Sequence, residues 1–254
     1  DTLKKIKITS LPSNGTLRNN GATVSVNDEI VTANISNLTF VPNADWNGSA
    51  SLGWNGSDGI AYAGTATTMT LSIAAVNDAP TISNLNSDTL AYTAGDDASI
   101  IDQGTVSSTA DVDSTDFDTG TLTVSISANR VSTEDKLAIK NTGTGSGEIG
   151  ITGSNVTYGG TTIGTFTGGT GTDNLVITFN SGATPAAATA LIKSITYENT
   201  NTSNPTASSR TVGFTLTDGD SGTSTTSNAT VTVSAEATTT TTEEAPLTLL
   251  STNP

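Results

Sequence analysis

Thr121-Leu122-Thr123-Val124-Ser125-Ile126 alternates polar and apolar side chains with a period of two, and Gly120 stops it on one side. That period puts Leu122, Val124 and Ile126 on one face and the hydroxyls on the other, as in a strand with one buried side. The same pattern recurs outward from it. Lys5 to Thr9 reads K-I-K-I-T, Met69 to Ile73 M-T-L-S-I, Leu175 to Phe179 L-V-I-T-F, Val212 to Leu216 V-G-F-T-L, and Thr230 to Val233 T-V-T-V. Short alternating runs bounded by Gly, Asn, Asp or Pro predict an all-β sandwich.

Turn chemistry points the same way. Asn14-Gly15, Asp58-Gly59 and Asp218-Gly219 read as hairpin dipeptides, and Gly143 to Gly147 and Gly159-Gly160 as hairpin turns. The Gly-rich stretches lack the Lys and following helix of a phosphate loop. The exception to strand is Thr184 to Ile192, T-P-A-A-A-T-A-L-I. Thr184 suits a helix N-cap, Pro185 the first helical position and the alanines the interior, so one short helix is predicted there.

Composition narrows the function classes. The 254 residues carry 9 Lys plus Arg against 24 Asp plus Glu, a formal charge of −15, with no Cys and no His. No disulfide, thiolate metal site, thiol nucleophile, Ser-His-Asp triad or ordinary zinc site is available. At this charge nucleic acid and anionic lipid are repelled at long range, so no nucleic-acid partner is expected. No run of about 18 apolar residues exists, so no membrane insertion is expected either. Thr makes up about a fifth of the chain, which suits half-buried strands better than a disordered acidic tail. No secretory leader follows Asp1, so the chain reads as a mature protein or a piece of a longer one.

The main boundary is V-N-D-A-P at Val76 to Pro80, where Pro80 biases Ala79 to extended geometry and makes a short, stiff junction. This gives a first module at 1–79, a longer second module at 80–235 and a Thr-rich tail at 236–254. In the tail, Glu243-Glu244-Ala245-Pro246 resembles Asn77-Asp78-Ala79-Pro80, and Leu247 to Leu250 reads as the start of a further strand.

At these residues the chain resembles the cadherin-like tandem modules of large bacterial surface adhesins. The matching text is K-I-T-S-L-P-S-N-G-T-L at 7–17, L-T-F-V-P-N-A-D-W-N-G at 38–48 and V-N-D-A-P at 76–80. In the second module it is D-V-D-S-T-D-F-D-T-G-T-L-T-V at 111–124, V-T-Y-G-G-T-T-I-G-T-F at 156–166, S-I-T-Y-E-N at 194–199 and R-T-V-G-F-T-L-T-D-G at 210–219. The resemblance implies two tandem cadherin-like or Ig-like Greek-key β-sandwiches, the second enlarged by one short helix. It further implies an extracellular, bacterial cell-surface location, Ca²⁺ between modules and a stalk or adhesive role. One departure stands out. Such modules open with a strand and an acidic turn that have no counterpart before Asp1-Thr2-Leu3, so an open sheet edge or apolar groove is expected in the first module.

The chemical feature of the sequence is its acids. Asp111, Asp113, Asp116 and Asp118 lie close together, with Asp96, Asp97 and Asp102 upstream and Asn77-Asp78 in the junction. Hard cations take six to eight oxygen ligands, which such loops supply. The resemblance carries Asp78, Asp111 and Asp113 onto calcium positions; Asp97, Asp102 and Asp116 are added as loop acids of the same sandwich end. The competing reading is solvated acidic loops. For Asp58, Asp218 and Asp220 a turn role is the better account, and Glu134-Asp135 beside Lys136 reads as an exposed loop. Trp46, Trp54, Tyr158 and Tyr197 read as core or edge residues. Lys193 meets the requirements of a Lys–Asn isopeptide crosslink only loosely.

The expectation is thus a non-enzymatic structural or adhesive module whose partners are neighbouring modules or identical subunits. Pro246 to Leu250 of one copy is a candidate donor strand for the open module of the next. A second class, recognition of a cell-surface or glycan ligand, stays open.

Overall fold

The computed structural model describes residues 2–236. The fold is all-β, with two short helices, and divides into two compact units, the first closing at Asp78 and the second beginning at Ala79. The donor-strand candidate at 246–250 and the rest of the Thr-rich tail lie outside the described residues.

The first unit contains β1 (Lys5–Ser10), β2 (Gly15–Asn19), β3 (Ala22–Thr23), β4 (Glu29–Val31), a single helical turn α1 (Thr32–Ile35), β5 (Leu38–Pro42), β6 (Gly48–Ser57) and β7 (Thr67–Ile73). One sheet has the order β4-β1-β6-β7 and the other β3-β2-β5. Ile6 and Ile8 of β1 point into a small core with Leu17, Val24, Ile30 and Leu52, as the K-I-K-I-T alternation requires. Asn14-Gly15 departs from its expected role. β1 and β2 belong to different sheets, so the dipeptide turns the chain from one layer to the other rather than closing a hairpin. Asn14 takes the positive φ of 58°, and Gly15 is required for space, since a Cβ there would collide with the Phe40 ring.

The second unit begins with β8 (Thr81–Ser83), β9 (Thr89–Thr93), β10 (Ser99–Ile100), β11 (Ser108–Ala110), β12 (Thr121–Ala128) and β13 (Asp135–Ile139). It continues with β14 (Ile149–Thr152), β15 (Asn155–Tyr158), β16 (Thr161–Thr167), β17 (Leu175–Phe179), α2 (Pro185–Ile192), β18 (Ile195–Asn199), β19 (Ser209–Leu216) and β20 (Ser227–Ser234). An eight-stranded sheet runs β14-β15-β16-β17-β12-β19-β20-β9, antiparallel throughout except for the parallel β20–β9 pair. A three-stranded sheet, β10-β18-β13, and α2 supply the facing side chains of the core. Leu122, Val124, Leu175, Ile177, Val212, Phe214 and Leu216 are all buried within it, on the faces that the alternation assigned.

The helix forms where it is expected. The Thr184 side chain accepts a hydrogen bond from the Ala187 N–H at 3.3 Å, Pro185 opens the helix, and Ala187, Ala188, Leu191 and Ile192 are buried. Gly159-Gly160 closes the β15–β16 hairpin with φ values of 57° and 82°, a two-residue turn with both φ positive. Gly143 to Gly147, by contrast, lies on the crossing from β13 to β14, strands of different sheets, and is not a hairpin turn. The Glu148 carboxylate closes that crossing by accepting from the Gly145 N–H at 2.7 Å.

Candidate functional site

The acids singled out in the sequence occupy three separate places. Asp111 follows β11 directly. The antiparallel register Ala110↔Thr81 puts it beside Pro80, at the end of the second unit where its chain begins. Its Oδ1 accepts from the backbone N–H groups of Asp113 (3.3 Å) and Ser114 (3.2 Å), a turn that holds the two carboxylates on one loop. Its Oδ2 is buried with no hydrogen-bond donor among the described residues. Burial, and then the neighbouring Asp113 carboxyl, push the Asp111 pKa up. Asp116 lies further along the same loop, where its Oδ1 accepts from the Asp118 N–H at 3.1 Å. Asp78 closes the first unit, exposed to solvent and two residues before Pro80.

Asp102 is elsewhere. Its Oδ2 accepts from the Ser107 hydroxyl (2.8 Å) and N–H (3.2 Å), on the far side of β11 from Asp111. Residues 107 and 111 are four apart in extended chain, roughly 13 Å. There Asp102 neighbours Asp88, which the sequence reading passed over. Burial first, opposed by the Gln103 N–H and reinforced by Asp102, pushes the Asp88 pKa up. Asp97 is more distant still. It follows β9, whose Thr93 pairs with Ser234 at the end of β20, whereas the Ser227 hydroxyl at the start of β20 donates to Ile82 O in β8. Seven residues of strand separate those ends, roughly 23 Å. Asp97 therefore sits near the Ser234 end of β20, next to the Gly95 turn that the Glu236 carboxylate approaches. Among the described residues no three acids converge as a ready-made metal cage.

The hairpin acids serve as turn residues. Asp58 Oδ1 accepts from the N–H groups of Ile60 (2.8 Å) and Ala61 (3.0 Å), and Asp218 Oδ1 from those of Asp220 (2.7 Å) and Gly222 (2.9 Å).

The reading of Glu134-Asp135 as an exposed loop is overturned. Both are buried, at 7% and 3% exposure, because fully buried Arg210 supplies the opposing charge. Arg210 Nε donates to Asp135 Oδ1 at 3.1 Å and Oδ2 at 3.2 Å, and its Nη2 lies 3.9 Å from Glu134 Oε2. The Tyr197 hydroxyl donates to Asp135 Oδ1 at 2.5 Å. Burial raises the Tyr197 pKa, and contact with Asp135 raises it further. Glu134 gathers the 199–206 loop, accepting from Thr206 N–H (2.9 Å), Asn201 Nδ2 (3.1 Å) and Asn199 Nδ2 (3.3 Å). Burial pushes its pKa up, but these donors outweigh burial and hold it down to about 2. One sequence signal could have found this cluster. Arg210 has the same parity as the buried Val212, Phe214 and Leu216, and an inward-facing Arg requires an acid opposite.

In the first unit, a cleft of about 310 Å³ opens between the edge strands β5 and β7, lined by Leu38, Phe40, Leu52, Trp54, Met69 and Leu71 among others. Each edge strand has a single paired neighbour among the described residues, β2 for β5 and β6 for β7. Met69 is 49% exposed on this rim. Trp54 packs against the small core, and Trp46 stacks edge-on with Phe40 at 6.3 Å, so both tryptophans pack rather than form an exposed platform.

No protein-family model matches the chain, and no curated protein matches it. Three solved structures are similar to it at low scores. One is an endo-fucoidan hydrolase from glycoside hydrolase family 107 (17% identity, 91% of this chain and 24% of that one, TM-score 0.23). Another is the BSP domain of a biofilm associated protein (14%, 93% and 26%, TM-score 0.20). The third is the C-terminal domain of the Streptococcus pyogenes antigen I/II-family protein AspA (11%, 77% and 58%, TM-score 0.26). The chain thus spans about a quarter of the first two and little more than half of the third. At these TM-scores none of them bears on the fold or the site. Among the described residues no helix is long and apolar enough to cross a membrane.

Proposed function

We propose that the chain is a structural segment of an extended surface protein, in which Ca²⁺ stiffens the junction between two β-sandwich units. The observation that carries this reading is the Asp111–Asp113 loop beside Pro80, with Asp111 Oδ2 buried and lacking a donor. A buried carboxylate oxygen without a donor is costly unless a cation or a proton meets it. Asp111, Asp113 and Asp78 are the residues that would hold the ion, with Asp116 from the same loop. Backbone carbonyls and water complete the six to eight oxygens that Ca²⁺ takes. The ion supplies charge neutralisation and a fixed set of distances. Asp97 is reassigned to the Ser234 end of β20, near Glu236, and Asp102 to its pair with Asp88.

Calcium titration against thermal stability tests the reading. At an ion concentration a hundred times the Kd, a specific site adds about 2.7 kcal/mol. The Asp111→Asn/Asp113→Asn variant should lose that response, and Asp97→Asn should keep it. A melting temperature indifferent to millimolar Ca²⁺ would refute the clasp.

The open cleft of the first unit supports a further part of the same reading, assembly by strand addition. An extended segment with alternate apolar residues can pair its backbone with an exposed edge and fill the cleft with its side chains. Pro246-Leu247-Thr248-Leu249-Leu250 has that pattern, with Leu247 and Leu249 two apart. The proposed occupant is this segment from a second copy, a head-to-tail contact that need not close into a ring. Deleting residues 243–254 is expected to leave the protein monomeric at concentrations where the full chain forms chains by light scattering. Equal assembly by the truncated protein would count against it.

A further inference from the structure

The second unit contains five cationic side chains, Arg130, Lys136, Lys140, Lys193 and Arg210. Three are engaged by protein oxygens. Arg130 donates to Thr172 O (2.6 Å) and Asp173 O (2.7 Å), Lys136 pairs with Glu198 at 2.9 Å, and Arg210 is buried on Asp135. The remaining two, Lys140 and Lys193, make no ion pair among the described residues, and both line one cleft. That coincidence is notable in a chain of net charge −15, where partners for a cation are plentiful.

The cleft has a volume of about 740 Å³ and lies between α2 and the β14–β15 hairpin. Its size is within the roughly 300–1,000 Å³ of small-molecule sites. The Lys140 N–H donates to Ser194 O at 2.7 Å, so the two lysines arise from adjacent backbone positions on one wall. Lys193 is the C-cap of α2, where a cation is favoured by the helix dipole, and its ammonium makes no ion pair among the described residues. Tyr158, half-buried, packs one side of its ring against the core and lines the cleft, and its hydroxyl has no protein partner among the described residues. The other hydroxyls are committed: Ser194 donates to Ala190 O, and Thr142 donates to Ile149 O while accepting from its N–H. Among the described residues the free donors are therefore the two ammonium groups and one phenol. Glu148 also lines the cleft and offers an acceptor, so the local balance is two positive charges against one negative.

We infer that this cleft binds an acidic saccharide, with the Lys140 and Lys193 ammonium groups on its carboxylate or sulfate, Tyr158 against a sugar ring and Glu148 accepting from a sugar hydroxyl. Two ammonium groups select an anion. An aromatic ring with an apolar face and a polar tip, beside Ile100, Ala186 and Ala190, suits the mixed surface of a sugar. The site lies wholly in the second unit and does not depend on the calcium clasp or on strand addition.

The test is titration of the full chain, in saturating Ca²⁺, with sialyllactose, a heparin-derived disaccharide and lactose, followed by calorimetry. Saturable binding of one acidic probe, at least ten-fold tighter than lactose, is expected. Sialyllactose carries a carboxylate and no sulfate, so its binding shows that a carboxylate suffices; binding of the heparin-derived disaccharide alone, which carries a uronate as well, assigns the selectivity to its sulfates. Lys140→Gln/Lys193→Gln should weaken that binding ten-fold or more with an unchanged melting temperature. A readout without substitutions is acetylation by an N-hydroxysuccinimide ester. The bound probe should protect Lys140 and Lys193 at least five-fold while Lys4 and Lys7 of the first unit react as before. Absence of saturable binding by both acidic probes, equal binding of lactose, or unprotected lysines would each overturn the inference.

Discussion

Arg210→Met should destabilise the second unit by about 3–5 kcal/mol, the cost of removing one partner from a buried ion pair. The substitution keeps most of the side-chain volume but strips the charge from beside Asp135 and Glu134, which are 3% and 7% exposed. The resulting penalty is that of carboxylates held out of water with no cation. Urea denaturation resolves it in the Tyr62→Phe background, where the spectroscopic probes divide by unit. The other three tyrosines, Tyr92, Tyr158 and Tyr197, lie in the second unit, and Tyr62 and both tryptophans, Trp46 and Trp54, in the first. Tyrosine near-UV dichroism should lose stability while tryptophan fluorescence changes little. Adding Asp135→Asn should recover part of the loss, since it removes the orphaned charge. A change below 1 kcal/mol for Arg210→Met would mean that the ion pair is not what holds β13 to β19.

The same cluster gives a pH dependence whose sign is fixed. Glu134 is held down to about 2 in the folded protein against an ordinary 4.5. Its stabilisation is therefore complete above pH 4.5 and lost as the pH falls from 4.5 toward 2. Melting temperature should decline through that window, and Glu134→Gln should flatten the descent.

Phe214→Ala is the second large effect, about 3–5 kcal/mol. Phe214 is fully buried on β19, which lies between β12 and β20 near the middle of the eight-stranded sheet, and it pairs with Val124 in register. Truncation removes transfer free energy and leaves a cavity that strands hydrogen-bonded on both sides cannot collapse to fill. The denaturation midpoint should fall with an unchanged slope. Thr211→Ala, on the outward face of the same strand, should move stability by no more than about 0.5 kcal/mol. Near-equal effects of the two substitutions would contradict the assigned facing of β19.

The fold was legible where local physics suffices. T-L-T-V-S-I, L-V-I-T-F and V-G-F-T-L form strands with the predicted faces inward, because period two leaves only two ways to turn a strand and one of them exposes every apolar side chain. Thr184 and Pro185 start their helix because the cap and the fixed φ act within one turn. Asn14-Gly15 marks a reversal of the chain correctly, but a dipeptide carries no information about whether the next strand pairs with the last or with another layer.

The acid loops show where that legibility ends. Spacing in the sequence groups Asp111, Asp113 and Asp116, which share a loop. It also makes Asp97 and Asp102 plausible company for them, and the strands between carry those two elsewhere. The direction and length of β9, β11 and β20 decide this, not proximity along the chain. Glu134, Asp135 and Arg210 make the complementary case. Their 75-residue separation hides a contact that the β13–β18 pairing and the packing of β19 bring within hydrogen-bond range.

The sequence by itself determined the class of fold, the faces of its strands, the single capped helix and the absence of thiol and imidazole chemistry. These follow from side-chain chemistry and from periodicities that extend over a few residues. Only the tertiary structure decided which charges meet and, among the described residues, which edges stay open and which lysines make no ion pair. Those depend on strand order across a sheet, and strand order is set by the burial of the whole core rather than by any local run of residues.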